Sequence, residues 1–253
     1  MTTAVAIQAA VREETSTGDS RTLAFADFHC HTRHSPDSRL EEDRFITLAV
    51  ERGLTHVAVT DHNTIDGSVA VRARAAEMGM DDRLTVILGE EVSSADGEIV
   101  AVFIQETIPR DLTAEATADA IHEQGGLVSV PHPYDPFRRS HITADALERL
   151  GASDRIDMLE VFNSRVTLGR HNEDAAAFAA RFGIPGVACS DSHTGMEVAM
   201  SFNALPTFTT AAELKAALAA NEWHGSRTTK LVHLGTRWAV ASKWIGRQTG
   251  QDQ

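Results

Sequence analysis

Cysteine is nearly absent. Two residues, Cys30 and Cys189, in a chain of 253 are too few for a framework of bridges, so a reducing, cytoplasmic setting is expected. No apolar run approaches the roughly 20 residues that span a bilayer, and no membrane partner is expected. No charged-then-apolar leader opens the chain; residues 1–22 are rich in Thr, Ala, Glu and Ser and read as a loose N-terminal extension without chemistry. Positive charge is also scarce. A formal net charge of −13 argues against a broad nucleic-acid surface, which needs a basic face, and leaves room only for a local basic pocket. With no repeat and no linker, and 42% hydrophobic content, residues 23–253 are expected to form one domain. Oligomeric state leaves no trace in the sequence.

What the chain does have is imidazole and carboxylate in a recurring place. Asp27-Phe28-His29-Cys30-His31 ends an apolar segment, and on a strand His29 and His31 point the same way, about 7 Å apart, close enough to share one cation. Ser38-x-x-Glu41 has the form of a helix capping box and sets Asp37 just outside a helix start. Val57-Ala58-Val59 leads into Thr60-Asp61-His62, and Leu84–Leu88 leads into Gly89-Glu90-Glu91. Leu127–Val130 leads into Pro131-His132-Pro133, and Gly186–Cys189 into Ser190-Asp191-Ser192-His193. Helical stretches alternate with these strands, one opened by the capping box Thr210-x-x-Glu213. Strands that alternate with helices and end in polar residues predict a parallel α/β barrel with its site at the strands' C-terminal ends.

The candidate ligands are thus His29, His31, Asp37, His62, Glu91, His132, Asp191 and His193. Nitrogen and oxygen donors without thiolate suit Zn, Mn, Fe or Co, and eight donors exceed one tetrahedral site. Two or three divalent metals are expected. Among the remaining residues, Asp61 reads equally as a partner of a metal-bound imidazole or as a turn residue. Cys189 reads as a core filler beneath the metals, and Cys30 should face the helix layer. Arg33, Arg138, Arg139, Arg165 and Arg170 lie on expected mouth loops, with Arg165 and Arg138 the first choices for phosphate contacts. His34 is a candidate wall or proton donor, and the histidines outside the ligand set, including His122, His141 and His233, read as surface residues. The tryptophans Trp223, Trp238 and Trp244 are expected in a C-terminal strand or helix wrapped on the outside.

In their order, H-x-H, T-D-H, G-x-E, P-H-P and D-x-H resemble the motifs of the polymerase and histidinol phosphatase (PHP) superfamily over residues 25 to about 205. The resemblance implies a distorted (β/α)7 TIM-like barrel with a multinuclear site and a phosphoesterase activity. Carried over by motif, it assigns His29, His31, Glu91 and Asp191 to one metal, and Asp37, His62 and His193 to a second. Glu91 and His132 would serve a third. Glu90 is expected on the opposite face of its strand from Glu91. One position departs from the pattern: Val100 stands where three-metal members carry a histidine, so the third site lacks a ligand unless Glu98, on the same strand face, replaces it. His132 then becomes a substrate contact or weak ligand.

The reaction implied is hydrolysis of a small phosphate ester, such as a nucleotide or a sugar or metabolite phosphate, by a metal-bridging hydroxide. Glu91, Asp191 and His193 carry catalysis in this reading, with His193 or a metal-bound water protonating the leaving alkoxide. The alternatives are a metal-stabilised module without activity and a metallo-hydrolase of an amide or lactone. The expected partner is a small-molecule phosphate ester.

Overall fold

The computed structural model describes residues 23–138, 140–229, 236 and 238–244; the N-terminal extension, Arg139 and His233 lie outside the described residues. Strands form where apolar residues run together between Gly and Pro, and helices where apolar residues recur every three or four positions. In chain order these are β1 (Leu23–Cys30), α1 (Glu42–Glu51), β2 (His56–Val59), α2 (Asp66–Glu77), β3 (Thr85–Ser94) and β4 (Gly97–Val102). There follow α3 (Ala114–Glu123), β5 (Leu127–Val130), α4 (Ala144–Ala152), β6 (Met158–Asn163), α5 (Arg170–Phe182) and β7 (Gly186–Cys189). The last are β8 (Ser201–Pro206), α6 (Ala211–Ala217) and β9 (Glu222–Gly225). Residues 238–244 are helical. No helix among the described residues is long and apolar enough to cross a membrane.

The strands form one sheet in the order β7-β6-β5-β4-β3-β2-β1-β8-β9. It curls into a nearly closed barrel: where β1 and β7 end, the His31 amide donates to the Ser192 carbonyl at 2.8 Å and the Asp191 amide to the His29 carbonyl at 2.9 Å. The sheet is mixed where a parallel one was expected. The Ala95-Asp96-Gly97 turn folds β4 back on β3 as an antiparallel hairpin, and β8 runs antiparallel to β1. Gly97 makes that turn possible: its φ is +133°, and a Cβ there would lie 2.3 Å from the Ile142 Cα, so only glycine fits.

Alternation sorts the side chains into an inner core and an outer layer under the helices. Ala24, Ala26, Phe28, Ala58, Val100, Met158, Val187 and Cys189 pack together inside. Phe25, Cys30, Val57 and Val59 face outward into the layer with α1 and α2. Cys30 and Cys189 are both free and buried, each on the face expected.

Two local expectations fail. Ser38 does not cap α1. The N-cap is Glu41, without a side-chain bond, and the Ser38 hydroxyl donates instead to the His193 carbonyl at 2.9 Å, tying the Asp37 loop to the β7 end. The Thr210–Glu213 box forms in full, because nothing competes for its hydroxyl. His56 and His171 are not surface residues: both are 6% exposed. The His56 ring spans Thr55 and the Phe208 carbonyl, which satisfies both nitrogens.

Candidate metal centre

A register shift decides which way the first motif points. Ala24, Ala26 and Phe28 face inward, so strict alternation would turn His29 into the helix layer. The pairing of β1 with β2 slips between Asp27 and Cys30, and this bulge brings His29 and His31 to the inner face while Cys30 points out. A second shift, between Glu160 and Phe162, lies at the same end of β6. Bulges of this kind re-aim side chains beside functional sites. Backbone conformation does the same elsewhere: His132 (φ 31°) and Asp191 (φ 53°) both lie in the left-handed region, at a cost of about 1–3 kcal/mol each. Each is held by its own amide, which donates to Glu160 Oε2 at 3.0 Å in His132 and to the His29 carbonyl in Asp191.

The eight expected donors converge on one space. His29 Nε2 and His31 Nε2 are 2.9 Å apart, and Glu91 Oε2 lies 3.4, 3.3 and 3.1 Å from His29 Nε2, His31 Nε2 and His62 Nδ1. The other oxygen, Glu91 Oε1, is 3.3 Å from His132 Nε2. Asp191 Oδ1 is 3.6 Å from His31 Nε2 and 3.4 Å from His193 Nδ1. Asp37 places Oδ2 3.0 Å from His193 Nε2 and Oδ1 3.7 Å from His62 Nε2. Glu98 joins the set, with its oxygens 3.8 Å from His62 Nδ1 and 3.9 Å from His132 Nε2. Val100 stays in the apolar interior opposite Glu91.

These residues fit divalent cations. Donors bound at about 2.1 Å around one ion stand roughly 3.0–3.4 Å apart, the spacing that most of these pairs already have. Both Glu91 oxygens, both His132 ring nitrogens, Asp191 Oδ1 and Asp37 Oδ1 are buried without a hydrogen-bond partner, and buried polar atoms left so are costly unless a cation satisfies them. Four groupings of three donors lie within one ion's reach: His31, His62 and His193; His29, His132 and Asp191; His29, His31 and Glu91; and His62, Glu91 and Glu98.

The electrostatics follow from packing acids among imidazoles. Burial pulls His29 down, but Glu160, Glu91 and Asp191 outweigh it and hold its pKa well above the ordinary value. Burial likewise opposes charge on His62, yet Glu91 and Asp37 raise it to about 10. His31 goes the other way, held well below its usual value by burial and by the neighbouring His193 and His62. Glu91 and Asp191 are driven well below the carboxylate range despite burial, Glu91 by His29 and His62, Asp191 by Arg138 and His29. Burial and the Glu91 charge raise Glu98. Metal binding would therefore release protons from His29 and His62.

Sequence reasoning missed the residues behind the donors. Glu160, 1% exposed, accepts from His29 Nδ1 at 2.6 Å, from the His132 amide and from Asn163 Nδ2 at 2.8 Å. His29 is thereby left to present Nε2 to the cluster. The signal was present, because an acid inside the apolar run Met158-Leu159-Glu160-Val161 must find a partner. Asp61 stands behind His31: it accepts from the Ser35 hydroxyl at 2.7 Å, and Ser35 in turn bonds His31 Nδ1 at 2.9 Å.

The arginines reach further in than a mouth position implied. Arg138 pairs with Asp191 Oδ2. Arg165, 3% exposed, pairs through Nε with Glu197 at 3.0 Å and places Nη1 3.8 Å from Asp191 Oδ1. His34 is not brought into the cluster; its Nε2 meets Glu42 at 2.9 Å, an acid that also takes Arg33.

A family model described as PHP domain matches residues 27–160, and one described as PHP-associated matches residues 169–222. An uncharacterized protein of Methanocaldococcus jannaschii (MJ1587) is 37% identical over 149 residues, 55% of this chain and 81% of that protein. A two-domain protein of Bacteroides vulgatus, containing a predicted PHP-like metal-dependent phosphoesterase, shares the fold with a TM-score of 0.67 at 16% identity. It is matched over 82% of this chain and 66% of its own length, so this chain spans just under two thirds of it. Endonuclease Q, in complex with a 27-mer duplex carrying an abasic lesion at the active site, has a TM-score of 0.60 at 17% identity. The match covers 79% of this chain and 57% of that one. PfuEndoQ of Pyrococcus furiosus, a lesion-specific endonuclease, matches similarly at 0.58 and 17%, over 80% and 58%.

The two endonucleases overturn one expectation. A small-molecule phosphate ester as partner, with no nucleic-acid surface, does not follow from this architecture, since two proteins that share the fold are endonucleases, one of them seen with a duplex at its active site. Net charge misled because it averages over the whole surface and says nothing of local cations such as Arg138 and Arg165, which both face Asp191.

Proposed function

This chain belongs to the PHP domain family, and on that premise we propose that it hydrolyses a phosphate ester at a cluster of two or more divalent metal ions. The observation that carries the reading is the placement of Glu91. Its two oxygens face different sets of imidazoles, Oε2 towards His29, His31 and His62 and Oε1 towards His132, so this one carboxylate would help both sets hold their cations. His29, His31, Asp37, His62, Glu91, Glu98, His132, Asp191 and His193 are the residues that would hold them. Bound there, the ions would neutralise phosphoryl oxygens and lower the pKa of the attacking water.

The chain's own groups do the rest. Glu160 and the Ser35–Asp61 pair fix the His29 and His31 rings. Arg138 holds Asp191 Oδ2 and Arg165 stands behind His193; both guanidiniums lie where a phosphoryl group on the cluster would meet them, and guanidinium suits phosphate in geometry and charge. His193 touches Asp37 through Nε2, and its Nδ1 lies 2.9 Å from the Asp191 carbonyl and 2.5 Å from Arg165 Nη1. Of the two Nδ1 contacts, only the one to the Asp191 carbonyl can be a hydrogen bond when Nδ1 carries the proton and leaves Nε2 as the donor atom for a cation. Nucleic acid is the substrate class that the Endonuclease Q neighbours support.

The test is elemental analysis of the purified chain joined to a hydrolysis screen over phosphate monoesters, single-stranded and duplex DNA, amides and lactones. Bound divalent metal and phosphoester cleavage that both disappear in Glu91→Gln are the expected result. Cleavage of amides or lactones without phosphate esters would overturn the reading, as would a folded chain that takes up no metal.

A further inference from the structure

Exposed apolar side chains are distributed unevenly over this molecule. Among the described residues, every large exposed apolar side chain except Trp223 stands at the metal end. Phe137 follows β5, Leu168 follows β6, Met196 follows β7 and Val69 opens α2. Trp238 and Trp244 lie in the helical segment 238–244, which is fastened to this end: Thr236 bonds Arg165, Arg39 donates to Ser242 at 2.7 Å, and Lys243 donates to the Arg33 and Ser35 carbonyls at 2.5 Å. Scattered apolar residues need no explanation, but grouping around a site marks an interaction surface.

We propose that this rim is a stacking surface for the bases of a single-stranded nucleic acid, with Phe137 as the platform next to the scissile phosphate. The proposal rests on the phosphoesterase reading and names what lies beyond the phosphate. Phe137 is 64% exposed, and its position is set: buried Asp135 accepts its amide at 3.1 Å through Oδ1, and the Asp135 carbonyl accepts the Arg138 amide at 3.1 Å. The next side chain, Arg138, reaches Asp191 inside the cluster. A flat apolar face and a phosphate-binding cation thus leave the backbone on consecutive residues, as base and phosphate leave one sugar in a nucleotide.

The rim favours a nucleic-acid strand over a protein partner, because its rings are interleaved with cations. Arg33, which is paired with Glu42, lines a cavity of about 370 Å3 in the loop that carries Asp37 together with Arg39, Lys243 and one acid, Glu41, and a lining with more cations than acids beside exposed rings suits a phosphate backbone with stacked bases. It favours a single strand over a duplex for a different reason. An exposed ring such as Phe137 can stack only on a base with a free face, and only unpaired bases offer one.

The test is fluorescence anisotropy of the metal-loaded chain with a short phosphorothioate oligothymidylate, with an abasic strand of equal length, and with a duplex. The base-bearing strand should bind at least about tenfold tighter than the abasic one. Phe137→Ala should remove most of that difference and Phe137→Tyr should restore it, with metal content and melting temperature as in the wild type. Should Phe137→Ala fold poorly, the double variant Trp238→Ala, Trp244→Ala reads the same preference from the other side of the mouth. Equal affinity for base-bearing and abasic strands would overturn the proposal, as would preference for the duplex or binding indifferent to the alanine substitutions at Phe137, Trp238 and Trp244. Since binding needs no turnover, the two readings fail separately: base-dependent binding without hydrolysis removes the phosphoesterase reading, and hydrolysis without base-dependent binding removes the stacking surface.

Discussion

Glu90 and Glu91 are neighbours on β3, both fully buried, and they belong to two different regions of the molecule. Glu91 faces the barrel interior among four imidazoles, and His29 and His62 hold its pKa well below the usual range even though burial opposes them. Glu90 faces the helix layer. There it accepts one bond, from the Ile108 amide at 2.6 Å, its Oε2 has no partner, and burial raises its pKa to about 7. Burial is common to both, so burial does not decide what a carboxylate does. The charge of the groups across the few ångströms in front of it does.

The sharpest way to break this comparison is to neutralise the inner acid. Glu91→Gln keeps the shape but offers a neutral oxygen, and turnover should fall by at least roughly a hundredfold, equivalent to about 2.7 kcal/mol of barrier, with metal lost in elemental analysis. If Glu90→Gln is the inactive variant and Glu91→Gln retains metal and rate, the faces are wrongly assigned. Next comes Glu160→Gln, which leaves every direct donor in place but loosens His29. Metal affinity measured by chelator competition should drop by about 10- to 100-fold; an unchanged affinity would mean that His29 holds its orientation without Glu160.

Glu98→Gln should act on one metal position only. Stoichiometry in an anomalous scattering map should fall at the site facing His62 and His132 while the others stay filled, with a rate loss of about tenfold. Three sites filled as in the wild type would show that Glu98 is not a ligand. The smallest effect on turnover belongs to Glu90→Gln, expected within about twofold. Its signature is in stability against pH. The unfolded carboxyl ionises near 4.5, the folded one near 7, so the unfolded state gives up its proton first and the wild type loses stability as pH rises through that window. The variant has no such loss. Its melting temperature relative to wild type should therefore climb by roughly several degrees between pH 4.5 and 7 and level off above; a flat difference would mean that Glu90 ionises alike in both states.

Much of the candidate site was legible because its imidazoles and carboxylates sit at strand ends. A strand whose apolar body stops at His, Asp or Glu, as at His62, Glu91, His132 and Asp191, announces both the barrel and the end that carries the chemistry. The tie between His29 and Glu160 was less visible, since the two are 131 residues apart and only the isolated acid in β6 hinted that a partner was needed. Ser38 shows the opposite failure. Its local pattern matched a capping box, but the His193 carbonyl, brought near by the closing of the barrel, took the hydroxyl.

By itself the sequence determined the donor types, their order and the helix-strand rhythm, because these depend on periodicities of two and 3.6 residues that any local stretch displays. Tertiary structure alone decided that β1 slips between Asp27 and Cys30 so that His29 turns inward, that β4 and β8 run antiparallel, and that Arg138 reaches Asp191 from the loop after β5. Each of these depends on which neighbour a strand pairs with and on what lies across the barrel from it. Register and long-range pairing are settled by the summed fit of many distant contacts, and no single segment carries that sum.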